Sequence, residues 1–373
     1  MIAPTSRRPR LPPALAIAAL ALAGLVALTI VLAAVGAFEQ RTATTTVIQP
    51  TAAGPAPRLN APAIYAGANP GVVDITDQTT TTTTNPFGQR QTAAATQSGT
   101  GLVLDRKGDI LTADHVVDGT HSITVKFQDG ATRPATVLGG DTATDVAVLH
   151  VDPSGLTLHP LPLGTLAGLR VGDPLAVIGD PFNVQRSLST GLVSGLDRTI
   201  QAPNGFSIPN AVQTDAAIDP GNSGGPVLDA RGHVVGIADQ IATGGSGADQ
   251  SSGVGFAVSI DVIKPELASL EAGKVPAHAN LGVSANDATD SQGRTGAIVQ
   301  SVQAGGAAAH AGIRTGDLIV RIGSTKITGV GAVVAAIAKH HPGDRVPVTV
   351  VRDGRQRTVQ ATFTKQPTRA VAG

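Results

Sequence analysis

Pro220-Gly221-Asn222-Ser223-Gly224-Gly225-Pro226 sets a serine between glycines, immediately ahead of the apolar run Pro226-Val-Leu228. A hydroxyl is a weak nucleophile at neutral pH and needs a base beside it. It also needs a backbone able to turn its amides inward. Glycines on both sides permit positive φ and close approach of a ligand. The N–H groups of Gly221 and Ser223 can then converge where an oxyanion would sit. A plain glycine-rich hairpin turn has the same appearance, so the heptapeptide acquires meaning only from partners elsewhere.

Outward from this turn the chain reads as short strands. Downstream lie Val234-Val-Gly-Ile237 and Val254-Gly-Phe-Ala-Val258. Upstream lie Gly101-Leu-Val-Leu-Asp105, Asp109-Ile-Leu-Thr112, Ile123-Thr-Val-Lys-Phe127, Ala135-Thr-Val-Leu138, Val146-Ala-Val-Leu149, Pro174-Leu-Ala-Val-Ile178, Leu192-Val193 and Ala211-Val-Gln-Thr214. Strands at this spacing, parted by turns, indicate closed barrels or a sandwich. A helix is expected near 261–272, with Asp261 as N-cap and Gly273 at its end. The run Thr79–Thr84 and its surroundings, residues 77–98, read as a flexible loop.

Two further segments carry candidate chemistry. Leu111-Thr-Ala-Asp-His115-Val-Val117 places a histidine directly after an apolar strand, and imidazole is the usual proton acceptor for a serine. The other eight histidines have no such setting. Asp141-Thr-Ala-Thr-Asp145-Val-Ala-Val-Leu149 opens an apolar strand with a carboxylate, which is costly to bury without a hydrogen bond. Accepting Nδ1–H of a histidine satisfies it and leaves Nε2 free. Asp145 adjoins the strand; Asp141 is its rival, with more of the look of a turn residue. The chain order His, Asp, Ser is that of chymotrypsin-like enzymes, not of α/β-hydrolases or subtilisins.

Composition narrows the classes. With 373 residues there is room for about two domains. Gly and Pro number 45 and 25, which suits a turn-rich, mostly β protein. The 27 basic and 27 acidic residues cancel, and there is no basic block or stacking platform for nucleic acid. The absence of cysteine excludes disulfides, cysteine metal sites and a thiol nucleophile, and no paired-ligand spacing points to a metal. No cofactor is implied.

At the N-terminus, Ala14 to Phe38 carries no charge and follows Arg7, Arg8 and Arg10. This reads as a transmembrane helix over 14–38 with residues 1–13 cytoplasmic, the rest exported. A cleaved signal peptide ending near Val35-Gly36-Ala37 is the rival. Residues 39–62 form a Thr/Ala/Pro-rich linker.

After the helix a second module begins at Asn280-Leu281-Gly282-Val283. Strands at 296–301, 316–322, 345–352 and 358–363 alternate with short helices at 307–311 and 330–340. The first module, with Gly99-Thr-Gly-Leu-Val-Leu-Asp105, Leu111–Val117, Thr144-Asp-Val-Ala-Val-Leu149, Val177-Ile-Gly-Asp-Pro-Phe182 and Gln213–Pro226, resembles the HtrA (Deg) family of trypsin-like serine proteases. The second, with Ala311-Gly-Ile-Arg-Thr-Gly-Asp-Leu-Ile319, resembles the PDZ domain of that family.

The resemblance implies a mostly β fold: a two-barrel trypsin-like protease domain over 63–273 and an α+β PDZ domain over 278–365. It makes His115 the general base, Asp145 its orienter and Ser223 the nucleophile, with Gly221 and Ser223 as oxyanion donors. It sets Ala217, Ile237, Ala238 and Asp239 at the substrate pocket. Leu281, Gly282 and Val283 become the loop that holds a peptide C-terminus. Asp114 stands where the family often has Asn. The implied protein is a membrane-anchored protease of quality control or stress response, usually a homotrimer, acting on unfolded or exposed segments. Loops 198–209 and 240–252 are expected to sense the ligand or trimer contact that orders the oxyanion loop. Alternatives are a dedicated protease with one membrane-protein substrate and a non-catalytic PDZ scaffold or holdase.

Overall fold

The computed structural model describes residues 58–84, 90–119, 122–180, 186–202, 205–239 and 253–367. Six strands close the first barrel: β1 (Val72–Thr84), β2 (Arg90–Val103), β3 (Asp109–Thr112), β4 (Ser122–Lys126), β5 (Thr132–Asp141) and β6 (Val146–Val151). Their order is β1-β2-β3-β6-β5-β4, sealed by antiparallel pairing of β4 with β1. Six more close the second: β7 (Pro174–Gly179), β8 (Ser187–Gln201), β9 (Ser207–Thr214), β10 (Pro226–Leu228), β11 (Val234–Asp239) and β12 (Gly255–Ser259). Their order is β10-β11-β12-β9-β8-β7, and β7 pairs with β10.

Alternation decides which side chains point inward. In β4, Ile123 and Val125 are buried while their neighbours are exposed, the period-2 pattern of a strand with one wet face. β3 and β11 are buried at every position. Each barrel has its own apolar cluster. A third cluster joins the two: Leu102, Leu111, Val146 and Val148 of the first barrel pack with Ile178, Ile208, Ile237 and Val258 of the second. This shared core fixes the seam along which residues from both barrels meet.

Three expectations are corrected. The threonine run is strand, not loop: β1 and β2 stay in register from Val72↔Leu102 to Thr84↔Arg90. Threonine is β-branched and suits a strand, and the ladder continues the pairing of the buried Val73 and Ile75. A helix not expected from the sequence, α1 (Ala61–Ala68), spans the boundary between linker and first module; it buries Ile64 and Ala68, and Asn60 Oδ1 accepts Ala63 N–H at its start. The long helix, α2 (Ile260–Glu271), is capped by Ser259, whose hydroxyl accepts Asp261 N–H. Asp261 instead takes Leu166 N–H. Pro265 lies inside α2.

The second module contains β13 (Ala279–Asn280), β14 (Val283–Thr289), β15 (Thr295–Val302), α3 (Ala307–Ala311), β16 (Leu318–Ile322), β17 (Thr325–Lys326), α4 (Val330–Ile337), β18 (Arg345–Arg352), β19 (Arg355–Thr362) and β20 (Thr364–Lys365). Its main sheet runs β14-β15-β16-β18-β19, which leaves β14 on an edge. Among the described residues no helix is long and apolar enough to cross a membrane. The span expected at 14–38 lies outside them.

Candidate active site

His115 sits in a 3₁₀ turn (Asp114–Val116) that leaves β3. Asp145 closes the turn between β5 and β6 in the left-handed region, at φ 56°. A non-glycine residue there costs about 1–3 kcal/mol and calls for compensation. The compensation is visible. The Asp145 carbonyl accepts Asp114 N–H at 3.1 Å. Its Oδ1 accepts His115 N–H at 2.9 Å. Its Oδ2 lies 2.5 Å from His115 Nδ1. The imidazole is thereby held at two points. Asp141, the rival, is engaged elsewhere: it accepts Thr144 Oγ1–H at 2.6 Å and Ala143 N–H, and Oδ2 lies 2.6 Å from His278 Nε2.

Ser223 lies between β9 and β10 on a turn where Gly221 and Gly224 adopt φ of 100° and 82°. Asn222 N–H, Gly224 N–H and Gly225 N–H bond to Asp219, Ala238 and Asn222 carbonyls. Among the described residues, nothing accepts the N–H of Gly221 or of Ser223. Alternate amides are thus tied down and the remaining pair is free for a ligand. Ser223 Oγ makes no hydrogen bond to His115 in this structure, and Ser223 is almost fully buried.

A residue the sequence did not flag joins the two halves. Thr100 of β2 donates its N–H to the Ser223 carbonyl (2.9 Å) and its hydroxyl to the Gly221 carbonyl (2.7 Å). Thr112, three residues before His115, donates its hydroxyl to the Thr100 carbonyl. The serine turn of the second barrel is therefore pinned to the strands that lead into the histidine. Gly224 is the contact point: a Cβ there would come within 2.3 Å of the Thr100 carbonyl oxygen and Thr112 Oγ1. The Gly99-Thr-Gly motif was the only trace of this in the sequence.

Of the residues expected around the substrate pocket, Ala217 is exposed, while Ile237 and Ala238 are fully buried in the apolar core. Asp239 has its carboxyl beside the histidine: one titrating atom from each of His115, Asp145 and Asp239 lies within 4.8 Å of the others.

The electrostatics follow. Burial opposes charge on His115, but the Asp145 hydrogen bond and charge, with Asp239 and Asp114 behind, raise its pKa above 6.5. Burial, then the charge of Asp145, lifts Asp239 to about 7, with His115 acting in the opposite sense. Burial, followed by the charges of Asp145, Asp118 and Asp141, lifts Asp114 to about 7. Asp114 is buried, not solvent-facing as a surface carboxylate would be.

The second module offers a groove. Gly282 has φ 75° and donates its N–H to Asn280 Oδ1, with Leu281 buried beneath it. The open edge of β14 and the apolar side of α4 (Val330, Val333, Val334) flank a cavity of about 790 Å³. Its far wall belongs to the second barrel and α2, through Phe206, Pro209 and Glu266, and to His278 in the connection. Thr199, on the β8 side of the expected sensing loop 198–209, faces the start of α4, with its hydroxyl 3.5 Å from the Gly331 carbonyl. The other expected loop, 240–252, lies outside the described residues.

Known proteins share this arrangement. Residues 99–237 match the trypsin-like peptidase domain and residues 279–362 the PDZ domain. The chain is 38% identical to serine protease PepD of Mycobacterium tuberculosis, over 72% of this chain and 61% of that one. It is 36% identical to protease Do-like 1, chloroplastic, of Arabidopsis thaliana, over 72% and 64%. Against putative serine protease HhoA of Synechocystis it is 35% identical over 72% of each chain. The chain thus spans under two thirds of the length of the first two. Among solved structures, HtrA-type protease AlgW with decapeptide aligns at a TM-score of 0.66 and 28% identity, over 82% of this chain and 98% of that one.

Proposed function

The chain belongs to the HtrA/Deg family of serine proteases, and from that premise we propose that it is a membrane-anchored, extracytoplasmic endopeptidase. It cleaves unfolded or exposed polypeptides in protein quality control or stress response. The observation that carries this reading is the His115–Asp145 pair at 2.5 Å, set across the barrel seam from a serine turn with two unclaimed amides.

The proposed chemistry follows from that geometry. Asp145 accepts Nδ1–H, so the Nε2 lone pair of His115 is available as base. His115 takes the Ser223 hydroxyl proton as Oγ attacks the peptide carbonyl. The N–H groups of Gly221 and Ser223 receive the charge that develops on oxygen. His115 then protonates the leaving amine, and water repeats the sequence on the acyl-enzyme. Before attack, Ser223 Oγ must come within hydrogen-bond reach of Nε2, a closure that substrate can drive.

The PDZ groove would take a peptide C-terminus at Leu281-Gly282-Val283, with the peptide added as a strand along β14. Because the far wall of the cavity is protease, such a peptide would touch both modules. The anchor is supported by the uncharged stretch at 14–38 with its preceding arginines, and assembly as a homotrimer by family membership. No nucleic acid or cofactor enters the reading.

The test is cleavage of an unfolded protein by the full chain in detergent, beside Ser223→Ala, with and without C-terminal peptides. Cleavage by the parent alone is expected, stimulated by peptide. Retained cleavage in Ser223→Ala would refute the assignment, and binding without cleavage by the parent would favour the scaffold or holdase.

A further inference from the structure

We propose that Asp239 is a positioning residue for the catalytic histidine, setting through its charge the pH at which His115 is free to accept a proton, an inference that rests on the protease reading. The observation is geometric. Asp239 ends β11, is 1% exposed, and among the described residues neither carboxyl oxygen has a hydrogen-bond partner. Its carboxyl lies within 4.8 Å of titrating atoms of both His115 and Asp145. A buried carboxyl with no donor is not stable as an isolated anion. Among the described residues, the one neighbour able to compensate an anion is the imidazolium of His115.

The groups facing Asp239 are Asp145 and His115. Asp114 acts on the same pair from the His115 turn, and Asp118 and Asp141 act on Asp114 in turn. Among these described groups His115 supplies the sole positive charge. Two carboxyls so close do not both ionise freely, so near neutral pH one tends to keep a proton when the histidine is neutral. Asp145 already binds Nδ1–H and the His115 amide, both of which favour its ionised form. The retained proton therefore belongs to Asp239. This agrees with the lift of its pKa to about 7 by burial and by Asp145.

The proton count follows. At high pH, Asp239 and His115 are both deprotonated. The first proton taken up as pH falls is divided between them. On Asp239 it leaves His115 a base; on His115 it makes an imidazolium that the ionised Asp239 stabilises. The second proton fills the other site, and activity is lost. The acid limb of the rate profile is then a coupled titration of two groups. Asp145 alone would give a single step.

The experiment uses the full chain in detergent and two readouts. One is the pH profile of kcat/KM on an unfolded protein. The other needs no turnover: the pH dependence of His115 carbethoxylation by diethyl pyrocarbonate, quantified by peptide mass spectrometry. That reagent attacks the neutral ring, and the His115 side chain is 24% exposed. In the parent, both curves are expected to spread over more than one ionisation and to lie above the ordinary histidine value.

Asp239→Asn, which keeps shape and removes charge, is expected to narrow the curve, leaving the smaller coupling to Asp114, and to shift it to lower pH by about one unit. Asp239→Ala should agree. A merely loosened site would lower rates at every pH without moving the midpoint. A parent His115 curve that fits one ionisation at 6.5, or a variant curve coincident with the parent, overturns the proposal. If the parent cleaves nothing but its His115 curve shifts with Asp239→Asn, the charge coupling stands and the protease reading falls.

Discussion

Gly224 and Gly232 allow a controlled perturbation, because they share a backbone conformation and differ in their surroundings. Their φ angles are 82° and 80°. A Cβ on Gly232 would meet nothing within 4 Å. A Cβ on Gly224 would lie 2.3 Å from the Thr100 carbonyl oxygen and Thr112 Oγ1, and 2.8 Å from the Ala113 nitrogen. Two of those three atoms are backbone and the third is a hydroxyl already committed to Thr100, so none can swing aside. Substituting alanine in the left-handed region costs about 1–2 kcal/mol at either position. Overpacking adds about 1–3 kcal/mol at Gly224 alone.

Gly232→Ala is therefore expected to lower stability by about 1–2 kcal/mol, and Gly224→Ala by about 2–5 kcal/mol. Urea unfolding followed by circular dichroism reads the difference as a displaced midpoint at unchanged slope. The activities should separate further. Gly232 sits in the turn between β10 and β11, away from the site, and its variant should retain the parent's kcat. At Gly224 the crowding forces the serine turn away from the strands that carry His115, so kcat should fall well beyond the loss of folded protein. Equal destabilisation by the two alanines, or a fully active Gly224→Ala, would refute the claim that this glycine sets the approach of the two barrels.

Two more outcomes follow from the same structure. Asp145→Asn should preserve the fold but reduce kcat about 10⁴-fold in a peptidase assay, because an amide in place of the carboxylate stabilises the wrong imidazole tautomer. The junction between modules should respond to pH. Burial works against a charge on His278, yet the Asp141 hydrogen bond and charge, with Glu266 behind, raise its pKa above 6.5. Its contribution is complete below 6.5 and disappears as pH rises through the raised value. Glu266, lifted to about 8 by burial and by Asp141, tilts stability the same way. Asp141, lowered mainly by His278 against its own burial, contributes above 3.8 and loses that contribution on acidification. His278→Gln should flatten the decline in urea midpoint from neutral to alkaline pH; an unchanged slope would exclude the junction as its source.

The His115–Asp145 junction shows what kind of information the sequence held. Leu-Thr-Ala-Asp-His115 and Thr-Asp145-Val-Ala-Val-Leu are local statements: a strand end followed by a base, and an acid followed by a strand. Their contact needs only the β3–β6 pairing that adjacent apolar runs favour. The threonine run differs from its sequence-based expectation for the opposite reason. Its polarity suggests a loop, and only backbone pairing with a partner strand makes the run part of a ladder. Helix α1 is not legible because Ala-Pro-Ala-Ile-Tyr-Ala-Gly-Ala carries Pro and Gly and has no polar face to mark a helical period; its place comes from burying Ile64 and Ala68 on the body of the protein.

By itself the sequence determined the order His, Asp, Ser, the glycines that let the serine turn adopt positive φ, the strand-rich first module and the change to a second one near residue 280. These are properties of short segments, fixed by propensity and side-chain chemistry. Tertiary structure alone decided that Thr100 ties the turn holding Gly221 and Ser223 to the first barrel, that His278 grips the Asp141 end of the Asp145 turn, and that the Asp239 carboxyl meets the histidine. Every position of β11 is buried, so alternation along that strand cannot tell which wall a side chain faces. That choice belongs to the closure of the second barrel against the first, which brings the end of β11 to the seam where His115 lies.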